Sequence, residues 1–62
     1  MKLIEVKENL YVPAHRVLYV AIAPDRKFID ITVENTNGNY TTWTKTFNTE
    51  EELRGFFNSL QR

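Results

Sequence analysis

Few side chains in this 62-residue chain could do chemistry. It has one histidine, His15, one serine, Ser59, and no cysteine. Nucleophilic catalysis needs a hydroxyl or thiol beside a base that a third group orients. Ser59 falls on a C-terminal segment of helical period, beside Leu60, with His15 far upstream. No nucleophile elbow or glycine-rich phosphate loop accompanies them. Asp30 and Glu34 share one face of a predicted strand. At about 3.3 Å per residue they stand roughly 13 Å apart, too far for the carboxylate pairs of glycosidases. His15 has no second histidine at ligand spacing and reads as a turn residue. Glu50, Glu51 and Glu52 point in different directions along a helix, and an acidic helix start accounts for them. The sequence predicts no catalytic residue, no metal ligand, no cofactor site and no enzymatic activity.

What remains is the surface that the elements build. Leu3 to Lys7 alternates, with Ile4 and Val6 on one face, and Glu8-Asn9 breaks the pattern. Leu10-Tyr11-Val12 is extended and ends at Pro13, which biases Val12 away from helix. Pro13 to Arg16 reads as a turn or a single helical turn. Val17 to Ala23 is apolar enough for a central strand, and Pro24 to Lys27 turns the chain. Phe28 to Glu34 is rich in β-branched residues, as strands are. Asn35 to Asn39 is the strongest turn signal, with Asn37-Gly38 suited to positive φ. Tyr40 to Phe47 is the last strand.

Register follows from matching faces, because a one-residue slip reverses every side chain. A four-residue loop at 24–27 sets Ala23 beside Phe28, Ile22 beside Ile29, Val20 beside Ile31 and Leu18 beside Val33. A two-residue Asn37-Gly38 loop would set Trp43 beside Thr32 and mix faces. A three-residue loop, Thr36 to Gly38, sets Glu34 beside Tyr40 and Ile31 beside Trp43, with Gly38 left-handed in a bulge.

The period then becomes helical. Thr49-Glu50-Glu51-Glu52 forms a capping box. Leu53, Phe56, Phe57 and Leu60 follow at i, i+3, i+4 and i+7, one apolar stripe. Gly55 reads as a tolerated surface glycine, the alternative being close approach to the sheet beside Phe56. The predicted fold class is α+β: a small antiparallel β-meander of four to five strands with one C-terminal α-helix packed on one face, one domain spanning 1–62. The predicted core is Ile4, Val6, Leu18, Val20, Ile22, Ile29, Ile31, Val33, Trp43, Phe47, Leu53, Phe56, Phe57 and Leu60.

The run LYVPAHRVLYV, followed by a strand, an Asn-Gly turn, another strand and TEEELRGFF, resembles small bacterial β-proteins of the flagellar FlbD type. It is also similar in pattern to the first half of LytTR-type DNA-binding domains. The resemblance implies small β-rich domains of bacterial or phage character. It transfers no functional residue, because the half of a LytTR domain that makes much of its DNA contact has no counterpart here.

Composition narrows the function further. Hydrophobic residues make up 42% and aromatics 13%, too many for a disordered tail. Without cysteine there is neither a disulfide framework nor a thiolate zinc site, so the expected compartment is cytoplasmic. No apolar run approaches a membrane span, the longest being Val17 to Ala23. Net charge is zero, split mildly into +2 over residues 1–27 and −2 over 28–62. That balance argues against strong non-specific nucleic-acid binding, which neutralises several phosphates at once.

One helix covers one sheet face, so the other face is the available surface. It is expected to carry Leu3, Val17, Tyr19, Phe28 and Tyr40 as an interface for a protein partner or for self-association, since exposed apolar area marks interfaces. The rival reading is a nucleic-acid-binding face on which Tyr19, Phe28 and Tyr40 stack bases beside Arg26 and Lys27. Asp30 and Glu34, on the same face, would repel phosphate and count against it. A flat strip of this kind offers no small-molecule pocket.

Overall fold

The alternating segments build β1 (Leu3–Lys7), β2 (Leu10–Pro13), β3 (Val17–Ala23), β4 (Phe28–Glu34) and β5 (Tyr40–Thr46), and the helical stripe builds α1 (Glu50–Leu60). A single 3-10 turn, Ala14–Arg16, joins β2 to β3. The computed structural model describes residues 2–61. Met1, and Arg62 with its share of the charge balance, lie outside the described residues.

The class is α+β, but the strands divide into two antiparallel sheets: a β1-β2 hairpin and a three-stranded sheet in the order β3-β4-β5. β1 runs close to β5 without a ladder between them. The reason lies in the core. An eleven-residue helix with one apolar stripe cannot cover a broad sheet. The hairpin therefore contributes Ile4 and Val6 to the same buried cluster as Ile29, Ile31, Val33 and Leu53, with Leu10 and Val12 packed against it.

Two expectations for β3 are corrected. The strand is apolar enough for a central position, yet β4 is central and β3 lies at the edge. Turns on either side of β4 give it two sequence neighbours, and Ile29, Ile31 and Val33 are its buried face. The pairs Ala23–Phe28, Ile22–Ile29 and Val20–Ile31 form as matched faces require, but Val33 stands opposite Val17, not Leu18. A bulge between Val17 and Tyr19 inserts the extra residue. Leu18, expected in the core, is consequently 42% exposed, and Val17 packs against the core in its place. The 3-10 turn delivers Val17 inward, its N–H donating to the Ala14 carbonyl.

The second hairpin takes the three-residue form. Glu34 pairs with Tyr40 and Ile31 with Trp43. The Asn35 N–H donates to the Asn39 carbonyl at 2.7 Å, and Gly38, at φ 86°, donates to the Asn35 carbonyl at 3.0 Å. Across the first turn, the Arg26 N–H donates to the Ala23 carbonyl at 3.1 Å.

Thr49 caps α1, its hydroxyl accepting from the Glu52 N–H at 3.1 Å. Glu52 Oε1 in turn accepts from that hydroxyl at 3.3 Å. The Phe47 and Phe56 rings then meet at 5.5 Å between centroids, tilted by 45°, holding the helix to the end of β5. Near the chain ends, the Lys2 ammonium donates to the Ser59 carbonyl at 2.8 Å.

A candidate interaction face on the three-stranded sheet

Even-numbered residues of β4 and β5 point away from the core, because Ile29, Ile31 and Val33 point into it. Rows across the sheet follow from the register: Tyr19–Thr32–Thr42, Ala21–Asp30–Thr44 and Ala23–Phe28–Thr46, with Glu34–Tyr40 beyond them. The middle of this face is polar and internally satisfied. The Thr32 and Thr42 hydroxyls bond each other at 2.9 Å. Asp30 Oδ1 accepts from the Thr44 hydroxyl at 2.6 Å.

The edges of the face are aromatic. Tyr19 is 71% exposed and Tyr40 is 65% exposed. They sit on the two outer strands, about 10 Å apart across the sheet and about 7 Å along it. Phe28 is half-buried at the far end of the same face.

Three of the five candidate interface residues, Tyr19, Phe28 and Tyr40, thus share one face. The other two do not join them. Leu3 belongs to the separate hairpin, where it is exposed opposite Pro13. Alternation had placed it on the outer side correctly, but of a different sheet. Val17 is turned to the core by the bulge. Two exposed apolar residues escaped the sequence reading as surface features: Leu18, displaced by that bulge, and Tyr11, opposite Glu5 on the hairpin. Tyr11 could have been found by alternation from Val12.

The residues with chemical potential stay apart. His15 is exposed on the 3-10 turn, while the Ser59 hydroxyl donates to the Phe56 carbonyl at 2.6 Å on α1. Among the described residues, no group of three or more His, Asp or Glu side chains could hold a metal ion. No helix among them is long and apolar enough to cross a membrane.

A shallow cleft of about 430 Å³ runs between β1 and β5, lined by Glu5, Lys7, Glu8, Thr44, Lys45 and Thr46. Its inner wall is held by Lys45, whose ammonium lies 3.3 Å from Glu5 Oε1 and 5.1 Å from the Phe56 ring centroid. The Lys45 hydrogen bond, followed by the Asn9 N–H, holds the Glu5 carboxyl below the usual glutamate range. Lys7 lies over the Trp43 ring at 5.1 Å. The Glu5–Lys45 pair spans the cleft, which makes it a seam between the two sheets.

Comparison of the chain with protein-family models, curated proteins and solved structures gives no match.

Proposed function

We propose that the chain is a small non-enzymatic interaction module that acts in the cytoplasm without a cofactor. It engages a flat protein surface through the outer face of β3-β4-β5. In this reading α1 and the β1-β2 hairpin together close the inner side of that sheet. The observation that carries the reading is the placement of Tyr19 and Tyr40, both well exposed, on the outer strands of a face at whose centre Thr32 bonds Thr42 and Asp30 bonds Thr44. Aromatic anchors around a satisfied centre suit protein contact, where such residues supply hot spots. Asp30 and Glu34 on the same face set it against nucleic acid, whose phosphates they repel.

Site-specific photocrosslinking in cells tests the proposal. A photoreactive phenylalanine analogue at Tyr19 or Tyr40 should trap a discrete protein adduct, and the same group at Tyr11 on the hairpin should not. Equal trapping at all three positions would sink the assignment. Binding to random single-stranded oligonucleotides that weakens steeply with salt would replace it with the nucleic-acid reading.

A further inference from the structure

We infer that the outer edge of β3 pairs with the β3 edge of a second copy, antiparallel about a two-fold axis through Ala21. The inference concerns the strand edge and stands whatever the outer face binds.

The hydrogen-bond parity of the sheet shows which groups are unused. The Phe47 N–H donates to the Lys27 carbonyl at 2.8 Å, and the Asn35 N–H donates to the Asn39 carbonyl at 2.7 Å. Both pairs are in phase with the β4-β5 register, so odd-numbered residues of β4 bond to β5. Its even-numbered residues therefore bond to β3, opposite Tyr19, Ala21 and Ala23. Val20 and Ile22 are left with their N–H and C=O groups directed away from the sheet. Among the described residues, no backbone hydrogen bond outside the β4 ladder involves residues 18–22.

Between the bulge at Leu18 and Pro24, this edge lacks the usual protections. Edge strands are commonly blunted by charge, proline or a covering element. Val17–Ala23 contains no charged residue and no proline. Its inward residues Val20 and Ile22 are only half-buried, and its outer face adds Tyr19 and the exposed Ala21. The opposite edge differs: β5 has β1 alongside it, with Lys45 and Glu5 paired across the seam.

The strand's own limits select the occupant. The regular stretch is Tyr19 to Ala23, bounded by the bulge at Leu18 and by Pro24, which has no N–H. Its midpoint is Ala21. A two-fold axis there maps the stretch onto itself, as an isologous interface requires. Val20 of each copy then exchanges N–H and C=O bonds with Ile22 of the other. Apolar residues meet on both faces, and no like charges oppose each other in the paired stretch. The two three-stranded sheets become one of six strands. For a domain this small, self-association is a common source of stability.

The full chain should sediment at twice its own mass at high micromolar concentration. Because it has no native cysteine, Ala21→Cys supplies a single thiol per chain. The two thiols would face each other at a non-hydrogen-bonded position, with Cα atoms about 4.5 Å apart, within disulfide reach. Mild oxidation should crosslink this variant at least tenfold faster than Thr44→Cys, on the far strand. Val20→Pro removes an outward N–H without touching the β4 ladder and should give a folded monomer. Tyr40→Glu alters the outer face away from this edge and should remain dimeric.

A wild-type chain at monomer mass up to millimolar concentration would overturn the inference. So would Ala21→Cys crosslinking no faster than Thr44→Cys, a readout that holds even if Val20→Pro fails to fold. A dimer abolished by Tyr40→Glu but retained by Val20→Pro would assign self-association to the face instead.

Discussion

Lys45 stands opposite Ile29 on the core side of β5, yet its ammonium reaches Glu5 Oε1 at 3.3 Å on the neighbouring sheet. That ammonium also lies 5.9 Å and 5.1 Å from the Phe47 and Phe56 ring centroids. A long cationic side chain at such a place covers apolar surface and keeps its charge at the rim. One residue thereby ties β1, β5 and α1 together.

That relationship makes stability depend on acid. The Glu5 carboxyl is held below its usual range, first by the hydrogen bond from Lys45. Its folded pKa is depressed, so its contribution is complete above the unfolded value and lost as pH falls through the folded one. Thermal melts should decline on acidification through this range. Lys45→Met should move the Glu5 titration midpoint, followed by carboxyl NMR, upward. An unmoved midpoint would show that Lys45 does not set it.

The bulge in β3 predicts an inversion of the simple alternation. Val17→Ala should cost about 1–2 kcal/mol, because it removes packed methyl groups. Leu18→Ser should change stability by less than about 1 kcal/mol, since surface substitutions usually do little. Urea denaturation of the two variants checks the order, and a larger loss at Leu18 would put Leu18 back in the core.

Thr49 presents its hydroxyl to the Glu52 N–H. Thr49→Ala should destabilise by about 1 kcal/mol, and Thr49→Asp should be close to neutral. Equal midpoints for Ala and wild type in denaturant would mean that the cap carries no weight.

Gly55 lies within α1, and a Cβ built there meets nothing within 4 Å. Gly55→Ala should therefore stabilise the protein by about 0.5–1 kcal/mol, the helix-propensity difference and the reduced freedom of the unfolded chain acting in the same direction. A lower melting temperature for the alanine variant would contradict open space at this position.

The elements and most of the register were legible from local rules. Asn37-Gly38 and the need to keep Trp43 with Ile31 selected the three-residue loop, and Thr49 marked the helix start. The division into two sheets was not legible. Alternation shows that Ile4 and Val6 face inward, but not whether their strand extends a sheet or folds over it. Leu3 was grouped with Tyr19 for that reason. The bulge at Leu18 was hidden because Val17 and Leu18 are adjacent and both apolar, so either could fill the site opposite Val33. Trp43 illustrates the same limit. Its inward face followed from the period, but the Lys7 ammonium over its ring did not.

The hydrogen bond from Lys2 to the Ser59 carbonyl has a consequence for how the chain can be rewired. It places the first strand's entry beside the last turn of the helix, so a short flexible linker can join the two without disturbing any element. The polypeptide is then a ring in all but one bond. New ends can be opened at Asn37-Gly38, an exposed loop tip of the kind that tolerates cutting. Such a circular permutant would begin with β5 and finish with β4, separating two strands that now share a hairpin while leaving every packed residue with the same neighbours.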